Sequence, residues 1–420
     1  MLVLSLTLVV TNRRQYRLWE YLAMFLCCAL YGATILLNGR AHFLNEIMVL
    51  LYMICSYFML TYCGPRMSEE QAEKELRVLA WIVVGISFLF AVVNLGWYFL
   101  HYLRPEILPK SSYFSGINNN QLGGVYNPNT GGVHNYVSIL LSAMLFAGAC
   151  RGKKIFLVLN ALLQFACFSL VQSRGAWIAF LAFLILYFLF ILKKEGLSLP
   201  KQLLLKVGSL VICILLLTNG SQLTREALSQ AVLQLEKKET TVQIRHSTHC
   251  PYEMVILELE DPPEAILSDR DYTRGGHTDM TTGRSGLWKV GLKAWSEHPV
   301  LGVGYRSIDG ALKEGLSDFD YHNSGSGGLH NVYVTVLVSG GILGFLPFAA
   351  VIVFLLLRVL KLYLDPKASV CAKLTATMIP AWLVGELVES RIAMSFTNLS
   401  VFFWVTAGYV IFYTRKRDNK

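Results

Sequence analysis

Long apolar blocks, cut by short polar and basic connections, are the dominant pattern along this chain. The blocks fall at 20–37, 46–63, 78–101, 131–150, 155–171, 176–192, 203–218, 331–357, 374–388 and 397–413. A helix of about 20 residues crosses the roughly 30 Å hydrocarbon core of a bilayer. The pattern therefore predicts an all-α polytopic membrane protein with about 10–11 transmembrane helices. The opening MLVLSLTLVV is too short for a span and reads as the tail of a truncated one or an interfacial piece. A signal peptide fits less well, because no charged segment precedes the apolar run and basic residues follow it. The connections divide the chain into an N-terminal bundle over 1–130, helices over 131–218, one large outer loop over 219–329 and C-terminal helices over 330–420.

Composition agrees with this picture: of 420 residues, 54% are hydrophobic and only 15% charged, with a mean hydropathy of +0.47, too apolar for a soluble domain. The net charge of +9 would fit a nucleic-acid binder, but its placement does not. Of 37 lysines and arginines, 21 lie on one set of alternating connections and five on the short connections of the other side. The remaining 11 sit in the long loop beside 16 acidic residues. This asymmetry is the positive-inside rule, and it puts the 21-residue side and the C-terminus in the cytoplasm. The expected partner of the basic face is membrane lipid, and no nucleic acid. Nine cysteines fall mostly inside spans or at cytoplasmic ends, with Cys250 in the outer loop, so no disulfide framework is expected.

Two outer connections are long. The stretch NNNQLGGVYNPNTGGVHN, with Asn127 and Asn129, makes tight turns and exposes amides suited to sugar or phosphate contact; a plain surface loop is the alternative. In the large loop, SQLTREALSQAVLQLEKKE has helical spacing and continues the preceding span outward. The middle, Thr240 to Met280, is polar and mixed in charge, a small insertion or lid without an assigned fold. The last part, TTGRSGLWKVGLKAWSEHPVLGVGYRSI, predicts a short helix begun by Arg284 and ended by Pro299. Trp288, Leu292 and Trp295 form a stripe on it that suits the bilayer interface.

Three cationic positions thus gather on the outer side. Arg174 lies in VQSRGAW, a very short turn between spans; Arg284 begins the interfacial helix; His330 begins the next span. Eleven residues separate His330 from Gly341, about 20° past three full turns, so a continuous helix puts both on one face with Gly344. Each position has a plainer reading: a snorkelling arginine, a surface arginine, a capping histidine. His246, His249, Cys250 and His277 match no zinc-ligand spacing. Gly302-Val303-Gly304 is too short for a nucleotide-phosphate loop. HNSGSGGLHN offers no nucleophile paired with a base.

The ordered set SRGAW, GRSGLWKVGLKAWSEHPVLGVG and HNVYVTVLVSGGILG resembles the O-antigen ligase and O-antigen or capsule polymerase family. The last segment is similar to that family's pattern of His-Asn, Gly and Gly at His330, Asn331, Gly341 and Gly344. The resemblance runs from about Phe156 to Pro347, with Asn127–Asn129 extending it upstream. It implies a C-type glycosyltransferase-like fold in the bacterial plasma membrane, an undecaprenyl-diphosphate-linked glycan donor, a glycan or lipid-linked acceptor, and metal-independent, inverting transfer outside the membrane with no cofactor. Carried over, Arg174 and Arg284 match its functional arginines and His330 its functional histidine. The insertion over Thr240–Met280 and the short N-terminus depart from the pattern.

The chemistry is consistent with that implication. Breaking a sugar–diphosphate bond develops negative charge on the leaving phosphate, which guanidinium groups neutralise bidentately. An imidazole suits the deprotonation of an acceptor hydroxyl, with a hydrogen bond to phosphate or acceptor as its alternative role. Asn331, Tyr305, Arg306 and Tyr321 are candidates to line a sugar cleft. Glu386, Glu389 and Arg391, on the last outer connection, read as a structural set, with a carboxylate that assists the base as the alternative. A transporter or flippase of lipid-linked oligosaccharide is the competing class; it predicts charges at mid-membrane, where this chain has almost none.

Overall fold

The computed structural model describes residues 2–13, 16, 18–37, 42–64, 66–104, 117–118, 121–123, 125, 127–193, 196–247, 284–317, 328–395 and 397–418. Its elements in chain order are α1 (Leu2–Thr11), α2 (Trp19–Leu37), α3 (Phe43–Ile54, continued by a π turn over Cys55–Leu60) and α4 (Glu69–Leu103). A two-residue antiparallel pair follows, β1 (Ile117–Asn118) with β2 (Gln121–Leu122). Then come α5 (Pro128–Phe146), α6 (Arg151–Val171), α7 (Arg174–Leu186, continued by a π turn over Tyr187–Ile191) and α8 (Leu199–Ser247). The last are α9 (Arg284–Glu297), α10 (Ser307–Gly315), α11 (Val332–Leu364), α12 (Val370–Gly385) and α13 (Asn398–Asp418).

The protein is all-α and polytopic, and each of the ten apolar blocks falls on a helix. Among the described residues, seven helices are long and apolar enough to cross a membrane, and α12 is apolar but shorter. Two further blocks lie on α5, which opens with polar Pro-Asn-Thr, and α13, which closes with Thr-Arg-Lys-Arg-Asp. The segment 221–239 continues α8 without a break, as its spacing predicts.

The chain forms two compact units. The first comprises Met1–Leu76, Trp177–Leu210 and Thr278–Lys420. Within it α11 packs against α2, α9, α12 and α13. At the far end of α11, Arg358 pairs with buried Glu20 at 2.8 Å and donates to Thr414 at 3.1 Å. Arg417 pairs with Asp365 at 2.6 Å and Glu69 at 3.3 Å. Such partly buried pairs resist removal of one partner more than they add net stability.

The second unit comprises Arg77–Ala176 and Val211–His277. Lipid tails give little hydrophobic drive for helix pairing, so polar side chains and small residues do much of the seating. Here Asn160 of α6 donates to Ser138 (3.0 Å) and Ser142 (2.9 Å) of α5, and Gln164 donates to the Ser87 carbonyl of α4 (2.7 Å). Above this ladder, Ala91, Tyr98, Leu122, Cys167, Leu170, Val171 and Val232 form an apolar cluster.

Candidate active site

The segment that begins with His330 is built differently from a continuous helix. Asn331 caps α11: its side-chain oxygen accepts from the N–H groups of Tyr333 (3.0 Å) and Val334 (3.1 Å). His330 lies outside the helix in the left-handed region, at φ 46°. Ten residues into α11 the helix breaks at Gly341, with φ 62° and ψ −169°, a conformation open essentially to glycine alone. The single-face relation of His330 and Gly341 expected from a 100° step is therefore overturned, because the step presumes an unbroken helix.

The break is filled by the loop after α9. Val303 and Gly304 donate their N–H groups to the carbonyls of Val338 (2.9 Å) and Ser339 (3.0 Å). Ile342 and Leu343 donate to the carbonyls of Pro299 (2.9 Å) and Val300 (3.2 Å). The carbonyls of Val338 and Ser339 and the N–H groups of Ile342 and Leu343, which would pair with each other in an unbroken helix, are thus satisfied by four bonds to the loop, as non-helical backbone in an apolar span requires. A Cβ on Gly341 would run into the main-chain oxygen of Val300. The Gly-Val-Gly stretch, which carries no nucleotide signature, serves as this plug.

The same loop is clamped from α2 and α3. Thr34 donates to the Leu301 carbonyl (2.8 Å), the Tyr305 N–H to the Tyr31 hydroxyl (3.2 Å), and the Arg306 N–H to buried Glu46 (2.7 Å). Tyr31 donates in turn to Glu46. Tyr305 and Arg306 therefore stand together, the guanidinium 5.6 Å from the ring centre. Nothing in the local sequence marks Glu46 or Tyr31 for this role, since their partner lies some 260 residues away.

His330 is set by what precedes and faces it. Leu329 is fully buried with Leu287, Ile308, Leu312 and Val338, which seats α9 and α10 on α11. Trp288 packs on this cluster and donates to the Leu329 carbonyl (2.8 Å); Trp295 packs there too and donates to the Pro299 carbonyl (3.1 Å). Both tryptophans are half-buried, and Leu292 of the same stripe is exposed. From the other side, the connection after α12 wraps the His-Asn pair. The Val332 N–H donates to the carbonyls of Glu386 (3.1 Å) and Glu389 (2.9 Å), and Asn331 donates to that of Leu387 (2.9 Å).

Glu389 is the hub. One carboxylate oxygen accepts from Arg284 at 2.9 Å, and the other lies 3.5 Å from His330 Nδ1. Arg391 Nη2 stands 3.6 Å from the first oxygen. Burial alone would push this carboxyl up; Arg391, His330 and Arg284 together reverse that and hold it at about 2. Arg284, His330 and Asn331 are thus brought together although 47 residues of chain separate the first from the last. The carboxylate that joins Arg284 to His330 was only an alternative reading in the sequence.

In the second unit Asn127 caps α5, accepting from the Asn129 N–H (2.9 Å). Asn129 accepts from the Ser173 hydroxyl (3.0 Å), which itself caps α7 by accepting from the Ala176 N–H (3.3 Å). The turn sits on Gly132, where a Cβ would meet that of Ala176 at 2.8 Å. Arg174 begins α7 from this turn and is exposed. The Asn-Pro-Asn and Ser-Arg-Gly motifs are therefore one local structure. Tyr321, His249, Cys250 and His277 lie outside the described residues, as does most of Thr240–Met280; among the described residues no three His, Cys, Asp or Glu side chains group as metal ligands.

Residues 159–349 match the family model described as O-antigen ligase. No curated protein matches the chain. The family match supports a membrane glycosyltransferase-like function in polysaccharide biosynthesis.

Proposed function

Taking residues 159–349 as O-antigen ligase in family, we propose that this protein moves a glycan from an undecaprenyl-diphosphate carrier to a hydroxyl of an acceptor sugar, outside the plasma membrane, with inversion and without a metal. The observation that carries the reading is the Glu389 hub, which fixes a guanidinium and an imidazole on the two oxygens of one buried carboxylate. A diphosphate leaving group needs cationic donors as the glycosidic bond breaks, and Arg284 offers a planar fork for it. His330 presents Nδ1 to Glu389, which orients the ring and leaves Nε2 on its opposite edge to take the proton of the attacking hydroxyl. The bond from the anomeric carbon to the phosphate oxygen breaks as the bond to the acceptor oxygen forms. Arg174, at the Ser-Arg-Gly turn, is proposed as a further functional arginine. Tyr305, Arg306 and Tyr321 contact sugar, whereas the structural bonds of Asn331, Asn127 and Asn129 recommend them as supports.

Purified protein in lipid vesicles, given undecaprenyl-diphosphate-linked glycan and acceptor, is expected to transfer in the presence of EDTA. Strict dependence on added Mg²⁺ would contradict the metal-free scheme. Polymerase and ligase share this donor chemistry, and a deletion strain separates them. Single lipid-linked repeats accumulate if a polymerase is lost, and finished glycan stays on lipid if a ligase is lost. Lipid-linked glycan crossing a bilayer without transfer would favour a flippase instead.

A further inference from the structure

Arg391 is the cation of this cluster that the proposed reaction leaves unused. It lies on the non-helical connection between α12 and α13 and is 5% exposed. Its main-chain N–H donates to Glu386 Oε2 at 2.7 Å. Among the described residues its side-chain Nε and Nη2 have no hydrogen-bond partner, while Nη1 is 3.9 Å from Glu386 Oε1 and Nη2 is 3.6 Å from Glu389 Oε1. Those separations are too long for hydrogen bonds but short for buried charges. Glu389 Oε1 thus lies between two guanidinium groups, while Oε2 faces the imidazole.

The groups around Glu389 come from every neighbouring element. Arg284 stands on α9 and His330 precedes α11, while Arg391 and Glu386 share its own connection. Nearby, Tyr333 donates to the Leu383 carbonyl (2.9 Å), and the hydroxyls of Thr335 and Ser390 pair with each other (2.7 Å). Resting on the transfer reading above, we propose that Arg391 is a positioning residue: its buried charge backs the Glu389 carboxylate, which in turn holds Arg284 and His330 in place. The charge of Arg391 acts against the burial of Glu389 together with His330 and Arg284. A role by charge at these distances is one a lysine can fill and a methionine or glutamine cannot.

Infrared difference spectroscopy of the full chain in lipid vesicles reads the protonated carboxyl band of Glu389, assigned by its loss in Glu389→Gln. At about pH 5 wild type and Arg391→Lys are expected to lack this band and Arg391→Met to show it. Transfer by Arg391→Met should fall about 10–100-fold at that pH and recover towards about pH 8, with Arg391→Lys within about threefold of wild type. No band in Arg391→Met, or an equal loss of transfer at both pH values, overturns the proposal. If Arg391→Met does not fold, Arg391→Gln takes its place: lysine active and glutamine impaired upholds the role, and equal impairment of both overturns it. The band needs no substrate, so the two readings fail separately. Normal transfer by Arg284→Ala removes the reaction scheme, whereas a silent Glu389 band in Arg391→Met removes only the role of Arg391.

Discussion

Helices α8 and α11 are both long and apolar, yet they use the membrane differently. In α8, 49 residues run without a break, and none of its most apolar window is buried. In α11 a third of that window is buried, and the helix is interrupted at Gly341 where a loop plugs it. A helix that faces lipid must satisfy its own backbone at every turn. One that is enclosed by protein can lend backbone groups to a neighbour and so fix a loop in three dimensions. The proposed chemistry lies with the interrupted helix: His330 and the Glu389 hub stand at its start.

The largest effect should come from closing the break. Gly341→Val places a side chain against the Val300 carbonyl and forbids the backbone conformation, a loss of about 3 kcal/mol or more. We expect no monodisperse protein on size exclusion; a folded, active variant would show that the interruption is dispensable.

Next in size are the cationic residues. Arg284→Ala and Arg174→Ala should each lower transfer by about 10²–10³-fold while inserting normally, as loss of a preorganised transition-state donor does. Glu389→Gln should cost about 10²-fold, since an amide no longer fixes the imidazole and the guanidinium together. Steady-state rates on vesicle-reconstituted variants check all three, and wild-type rates for Glu389→Gln would make the hub a bystander.

The periodic parts of this design are legible from the chain alone. Ten apolar blocks gave ten helices, and the outward run of α8 and the helix that ends before Pro299 followed from spacing and helix-stop residues. What was not legible depends on contacts remote in sequence. Glu389 meets Arg284 across 105 residues, and Glu46 meets Arg306 across 260. The break at Gly341 escaped for a related reason: its cause is a loop 40 residues earlier, and a helical wheel cannot register a partner that takes the backbone bonds. The bond between Asn129 and Ser173 escaped in the same way, because the two stand 44 residues apart in sequence.

A smaller effect is the pH dependence of stability. The Glu389 carboxyl is held down, at about 2, below the roughly 4.3 of an unfolded glutamate. Its contribution is therefore fully present above the unfolded value and lost as pH falls through the folded one. The melting-temperature difference between wild type and Glu389→Gln should stay constant from about pH 8 to pH 5 and shrink only below that. Shrinkage already near neutrality would mean the carboxyl is not held by Arg284, Arg391 and His330. The smallest effect is expected on α8, where Gly208→Ala meets no neighbour within 4 Å and should shift stability by at most about 1 kcal/mol, in the favourable direction.

The most direct test is transfer of glycan from undecaprenyl diphosphate by the purified chain and by Arg284→Ala, both shown to be folded in the same vesicles and both assayed with EDTA. Turnover by the native chain and a loss of about a hundredfold or more in the variant is the predicted result. Equal turnover by the two would contradict a transfer site built on the Glu389 hub.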